Sequence, residues 1–390
     1  MLREMGHRGR ELYEREMSSA IGGARLTEIL RTAKRKGPHV TDTLEAIDAI
    51  DSIAGKTVTI TGGTGSFGST MARHLLAHGV RQVNVLSRDE AKQDAMRRTF
   101  ADERMRFFIG DVRDIESLEA PMESADYVFH AAALKQVPSC EFFPQQAVLT
   151  NVTGSHDVIE SAAHAGVQAL VVLSTDKAVY PVNAMGMSKA LMEKTAQAFA
   201  RNHPDSQMRV AVTRYGNVMY SRGSVIPLFI DQLRAGRPLT LTEPTMTRFL
   251  MSLDQSVALV LHAFSHATSG DLFVRKAPAS TVETLARAVA SVMGVEDPEI
   301  AVIGSRHGEK LHETLLSVEE MVKADDQGDY FRVPLDARGL QYELYFEEGD
   351  RRIPRDADYT SANTTQLDFE ATKALLLTVP EVRAAAEAGL

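Results

Sequence analysis

The stretch Lys56-Thr57-Val58-Thr59-Ile60-Thr61-Gly62-Gly63-Thr64-Gly65-Ser66-Phe67-Gly68 decides how the rest of the chain is read. Val58 to Ile60 is a short, partly β-branched run of the kind that suits a buried strand, and glycines follow at 62, 65 and 68. A helical pattern then runs from Phe67 to His78. Glycine lets the backbone turn tightly and approach an anion, whose charge is held by the amides and dipole at the start of the next helix. Strand, glycine turn and helix in that order predict a seat for the pyrophosphate of a dinucleotide, made by Gly62, Thr64, Gly65, Ser66, Phe67 and Gly68.

Outward from this turn the pattern repeats. Val83 to Leu86, Phe107 to Ile109, Tyr127 to Phe129, Leu170 to Leu173 and Val210 to Val212 are further short apolar runs. Between them lie helical patterns or loops, such as Gln146 to His164 and Ala184 to Ala200. This alternation predicts βαβ units and an α/β fold, a Rossmann-type doubly wound parallel sheet with helices on both faces. After Tyr215 the pattern loosens into Gly- and Pro-containing loops and isolated helices, consistent with a smaller substrate-holding region over the strand ends. The expected organisation is a helical extension at 1–50, a dinucleotide-binding domain at 51–215, and a mainly substrate-binding region with a C-terminal tail at 216–390.

The first residues differ in texture. Among the first 36 there are nine Lys or Arg and five Asp or Glu, about +4, whereas the whole chain carries -9. Leu26, Ile29, Leu30 and Ala33 follow one helix face, and Leu44, Ile47 and Ile50 make a weaker second stripe. The basic run Lys34-Arg35-Lys36 reads as a solvated helix end. An apolar stripe needs a surface to bury against, so this extension is expected to serve assembly rather than chemistry.

Composition narrows the function classes. With 390 residues, 44% hydrophobic and 24% charged, the chain is an ordinary globular one. A net charge of -9 gives no support for nucleic acid as a partner. The apolar runs Gln168 to Leu173 and Val257 to Phe264 are far short of the ~20 residues a membrane span needs, and the start of the chain shows no export signal. Cys140 is the single cysteine, so no internal disulfide forms, and a reducing cytoplasm is the expected location. The 12 histidines show no metal-ligand spacing, and no metal is expected.

The end of the second run selects the cofactor. An acidic residue there suits the ribose hydroxyls of NAD, whereas cations and hydroxyls suit the extra phosphate of NADP. Ser87 and Arg88 come first and Lys92 follows one helical turn later, which favours NADP over NAD. The bland alternative is that Arg88 pairs with Asp89 or Glu90. Asp111 and Val112 lie where an adenine edge is commonly held, and Ala131 and Ala132 are small where backbone runs close to a cofactor.

With these features the chain resembles the extended short-chain dehydrogenase/reductase superfamily, and later segments narrow the likeness. Ser174-Thr175-Asp176-Lys177-Ala178-Val179-Tyr180-Pro181 is followed by Asn183-Ala184-Met185-Gly186-Met187-Ser188-Lys189. Thr-Asp-Lys at this strand end is similar to the configuration-inverting UDP-N-acetylglucosamine 4,6-dehydratases. Further matches are Arg214-Tyr215-Gly216-Asn217-Val218, Ser221-Arg222-Gly223-Ser224-Val225-Ile226-Pro227, Thr247-Arg248-Phe249 and Tyr359-Thr360-Ser361-Ala362-Asn363-Thr364. The last resembles the capsule and O-antigen branch, whose members also act as 5-epimerases. The likeness spans roughly residues 55 to 378 and leaves the first 50 outside it.

The resemblance implies oxidation of the sugar at carbon 4, elimination of water across carbons 5 and 6, and return of the hydride to carbon 6 with inversion at carbon 5. It makes Lys177 the base and Asp176 the acid. A lysine serves as base once its pKa is lowered, and Lys189 together with partial burial is expected to lower that of Lys177. Met185 stands where the superfamily's usual Tyr-x-x-x-Lys has its tyrosine, a trait shared with the capsule-type branch. The group that deprotonates the carbon 4 hydroxyl is thus left open among Lys177, Lys189, a water or another tyrosine. For a UDP-sugar substrate the likeness implies Arg222, Arg248 and Arg306 at the phosphates, Glu309 at ribose hydroxyls, and Lys135, Asn217 and Val225 in the pocket wall. Asn151 resembles the superfamily's structural asparagine. A homo-oligomer, dimer or hexamer, is implied. The rival readings are another nucleotide-sugar dehydratase or epimerase, and a non-enzymatic NADP-binding regulator.

Overall fold

The computed structural model describes residues 53–221, 223–304, 308–336 and 357–389; the expected extension at 1–50 and the expected phosphate ligands Arg222 and Arg306 lie outside them. Each apolar run predicted as a strand is one: β1 (Thr57–Thr61), β2 (Gln82–Ser87), β3 (Met105–Ile109), β4 (Tyr127–His130), β5 (Ala169–Leu173) and β6 (Arg209–Arg214). They are parallel, in the order β3-β2-β1-β4-β5-β6. Every residue of β1, β4 and β5 is buried, as a sheet covered by helices on both faces requires. The strand order reverses between β1 and β4, which opens a crevice at the carboxyl ends where ligands bind in such sheets.

The chain beyond Tyr215 re-enters this sheet. β9 (Leu272–Arg275) pairs parallel with β6, and β14 (Tyr330–Val333) and β13 (Asp325–Gln327) continue antiparallel, making a 9-stranded sheet among the described residues. Smaller pairs join β7 (Leu239–Leu241) to β11 (Ile300–Val302), β8 (Thr247–Phe249) to β10 (Ala279–Thr281), and β12 (Thr314–Leu316) to β15 (Tyr359–Thr360). A second apolar core forms there around Phe229, Leu239, Leu285, Val289, Leu376 and Val382. The apolar run Val257 to Phe264 lies in the helix Leu253–His266, which carries the edge of Phe264 against Tyr127 at 4.2 Å between ring centroids. No described helix is long and apolar enough to cross a membrane.

Two glycines draw the elements of the crevice together. Gly62 has φ +67°, and a Cβ there would lie 2.8 Å from the backbone of Ala132, so the turn after β1 touches the chain leaving β4. A Cβ on Gly186 would come within 2.2 Å of the carbonyl oxygen of Lys177, so the helix Ala184–Asn202 sits directly on the short turn Asp176–Ala178 after β5. The helical pattern from Gln146 to His164 holds one irregularity, a π-helical turn at Val148–Thr153 ahead of the helix Gly154–His164. Asn151 lies in that turn. Its Oδ1 accepts from the amide of Leu134 at 2.7 Å, and its Nδ2 donates to the Leu134 carbonyl and the Ser188 hydroxyl, both at 2.9 Å. The asparagine thus ties the loop bearing Lys135 to the helix bearing Met185 and Lys189.

Candidate active site

Residues leaving the carboxyl ends of β1 to β6 enclose a cavity of about 610 Å³. Its walls contain every cofactor residue expected from the sequence: Gly62, Thr64, Gly65, Ser66, Phe67 and Gly68; Ser87, Arg88 and Lys92; Asp111 and Val112; Ala131 and Ala132; and Lys189. Gly65 caps the helix Ser66–Ala77 without a side-chain hydrogen bond, so the first amides of that helix keep their capacity for an anion. The close glycine turn and this helix start fit a dinucleotide.

At the rim Thr64 and Ser87 share a hydroxyl contact of 2.8 Å, Lys92 is paired with its own helix cap Asp89, and Arg88 lies 3.4 Å from Asp111. Arg88 is therefore ion-paired as the bland alternative held, but with Asp111 instead of Asp89 or Glu90. Arg113, which the sequence reading passed over, grips Asp111 at 2.6 Å and holds its carboxyl below the usual range through that hydrogen bond.

A second cavity of about 680 Å³ adjoins the first, and Lys135, Gln136, Lys177, Asn217, Val218, Gly223 and Ser224 line both. Its remaining wall brings together Val225, Arg248 and Glu309, all expected as substrate contacts. Lys177 thus stands where the two spaces meet, while Asp176 behind it is 1% exposed and lines neither. Asp176 Oδ1 accepts from Lys177 Nζ at 3.0 Å and from the Thr175 hydroxyl at 2.7 Å.

The expected tuning of Lys177 is reversed. Burial works to lower the pKa of Lys177, but the charges of Asp176 and Glu313 and the hydrogen bond to Asp176 outweigh it and push the amine up to about 12. The two carboxylates thus favour the ammonium form of Lys177. Burial of Lys189, only partly offset by the charge of Glu193, brings that amine down to about 8. Its Nζ donates to the Leu173 carbonyl at 2.8 Å. Met185, one turn before Lys189, is 3% exposed and lines the first cavity where a phenol would otherwise stand.

Glu313 was not singled out in the sequence. It is 5% exposed, its Oε1 lies 3.4 Å from Lys177 Nζ and 3.8 Å from Arg248 Nε, and burial and then the charge of Asp176 raise its pKa. The signal was an acid directly preceding the apolar strand Thr314–Leu316, where a charge is held only with a partner. The Tyr359–Thr364 element holds it in place. The Ser361 hydroxyl accepts from the Glu313 amide at 2.9 Å, the Ser361 amide donates to the Glu313 carbonyl at 2.8 Å, and Ser361 and Thr247 hydroxyls meet at 2.7 Å. Beneath the site Arg214 is sandwiched between Glu193 at 2.6 Å and Glu320 at 2.7 Å.

Comparison with known proteins agrees with this architecture. Residues 58–335 match the family model described as polysaccharide biosynthesis protein, and residues 336–383 match its C-terminal counterpart. Proteins named UDP-glucose 4-epimerase from Rickettsia rickettsii and Rickettsia conorii are 53% and 54% identical over 332 residues, 84% of this chain and 97% of each relative. Among solved structures, Pen from Bacillus thuringiensis superposes with a TM-score of 0.76 at 32% identity, over 84% of this chain and 99% of that one. DesIV, a dTDP-glucose 4,6-dehydratase from Streptomyces venezuelae solved with NAD bound, gives 0.60 at 25% identity over 65% and 86%. A doubly wound sheet with a glycine turn at its switch point, and family matches running almost end to end from β1, have one reading: the chain belongs to the polysaccharide biosynthesis protein family within the extended short-chain dehydrogenase/reductases.

Proposed function

We propose that the protein is an NADP-dependent 4,6-dehydratase of UDP-N-acetylglucosamine that inverts carbon 5. The observation that carries this reading is Lys177, backed by Asp176, at the junction of the two cavities, with Met185 where a proton-accepting tyrosine would stand. A simple 4-epimerase has no use for an acid and a base beyond carbon 4, whereas elimination across carbons 5 and 6 needs both.

A bound nicotinamide supplies hydride acceptance at carbon 4 and its return at carbon 6. The protein's residues handle the protons. Lys189, with its pKa near 8, takes the carbon 4 hydroxyl proton. Ketone formation acidifies carbon 5, whose proton goes to Lys177 once that amine is neutral and from it to the departing hydroxyl, while Asp176, the acid expected from the sequence, lines neither cavity and holds the lysine from behind. Arg248 and Glu309 in the second cavity meet the anionic diphosphate and the ribose.

Turnover of UDP-N-acetylglucosamine in deuterated water, followed by NMR, tests this. The expected product is a 4-keto-6-deoxy sugar with solvent deuterium at carbon 5 and ring couplings of the L-configuration. The second reading, UDP-glucose 4-epimerase, is favoured by the names of the Rickettsia relatives; it predicts UDP-galactose from UDP-glucose and no deuterium in the ring. For the cofactor, NADP is expected to bind more tightly than NAD by calorimetry, and Arg88→Ala to narrow the gap. Equal affinities in the unmutated protein would remove NADP from the proposal.

A further inference from the structure

A cationic Lys177 cannot abstract a proton, so its own proton must first go somewhere. Two carboxylates face it. Asp176 Oδ1 is 3.0 Å away and already engaged by Thr175, and Glu313 Oε1 is 3.4 Å away. The far oxygens, Asp176 Oδ2 and Glu313 Oε2, are buried and have no hydrogen-bond partner among the described residues. A buried carboxylate oxygen without a partner is costly as an anion, and the cost falls when the carboxyl is neutral. Other groups facing Glu313 are Arg248 on β8 and Lys310 on its own segment, and Lys310 is itself tied to the Val179 carbonyl.

We propose that Glu313 is the proton acceptor for Lys177, a positioning residue that leaves the amine neutral for the reaction. This rests on the dehydratase reading above. The Lys177 ammonium gives one proton to Glu313, so an ion pair becomes a neutral amine beside a neutral carboxylic acid and net charge is unchanged. In a cavity filled by substrate, where water no longer supports separated charges, that exchange becomes easier. The amine then takes the carbon 5 proton as the carbon 6–oxygen bond breaks, the oxygen leaves as water with a proton from the ammonium so formed, and Glu313 returns its proton to the amine, which restores the ion pair. The ordered contacts of Ser361 with Glu313 and Thr247 give the late Tyr359–Thr364 element a purpose, since they fix the acceptor against the lysine.

The test uses the full chain and the variants Glu313→Gln and Glu313→Asp, with folding checked by circular dichroism. In Glu313→Gln the amine loses its internal acceptor and must release its proton to solvent. Its kcat is expected to fall at least about tenfold at pH 7 with KM little changed, and the ratio of unmutated to variant kcat to shrink steadily as pH rises. Glu313→Asp keeps a carboxyl and is expected to keep the unmutated pH profile. Without substrate, NMR of ¹⁵N-lysine-labelled protein should show the Lys177 titration about one unit lower in Glu313→Gln. A kcat ratio that does not change with pH, together with an unmoved Lys177 titration, overturns the inference even if the unmutated protein dehydrates the sugar. A moved titration in a protein that fails to turn over UDP-N-acetylglucosamine supports the pair and overturns the substrate assignment instead.

Discussion

Lys177 and Lys189 are the same residue type in one crevice, yet their amines are displaced in opposite directions. Lys189 is 7% exposed and donates to a carbonyl, so desolvation prevails and the amine falls to about 8. Lys177 has two carboxylates within 3.4 Å, and their charge prevails over burial. In the proposed mechanism this difference divides the work: the amine lowered to about 8 serves carbon 4, and the other passes its proton to a carboxylate. If Lys177 is the carbon 5 base, Lys177→Ala lowers kcat by ~10²- to 10⁴-fold, the usual contribution of a general base. Met185→Leu keeps most activity, because the two side chains fill similar volume and neither moves a proton. Steady-state kinetics on both variants check this; an inactive Met185→Leu beside an active Lys177→Ala would reverse the assignment.

At the scale of elements, the site depends on how closely two of them approach. The helix Ala184–Asn202 starts at Asn183, whose side chain accepts from the Gly186 amide at 2.9 Å, and Gly186 then lies flat on the Lys177 carbonyl. Gly186→Ala puts a methyl group against backbone that has no free rotation, so the helix must shift away from the turn. The expected cost is about 1–3 kcal/mol of stability, typical of overpacking, with a larger loss of kcat than of substrate affinity because Lys177 and Lys189 move apart. Thermal melting and kinetics of the variant check it, and an unchanged melting temperature with full turnover would show that the contact is not a constraint. The strands, and the helices at Phe67–His78 and Ala184–Ala200, were legible because apolar periodicity and glycine position report local structure directly. The π turn around Asn151 was not legible. Its extra residue leaves the apolar pattern nearly unchanged, and its role appears only when Leu134 and Ser188 close on it.

Over the whole molecule, distant segments complete a site that no local stretch contains. Glu313, held by Ser361, which in turn meets Thr247, reaches Lys177 only because β12 packs against the turn Asp176–Ala178, and Arg214 binds Glu193 and Glu320 from opposite sides of the sequence. By itself the sequence determined the doubly wound sheet, the glycine turn, the cofactor-side residues of the first cavity, and Asp176 and Lys177 at one strand end with Lys189 on the helix that follows. Those features follow from backbone preferences and periodicities that act over a few residues. Only the tertiary structure decided the charge states, since a pKa answers to burial and to charges brought near by folding. It therefore raised the amine of Lys177 where a lowered one was expected, turned Arg88 toward Asp111, carried the chain back into the sheet through β9, and set Glu313 beside Lys177 across 136 positions of chain.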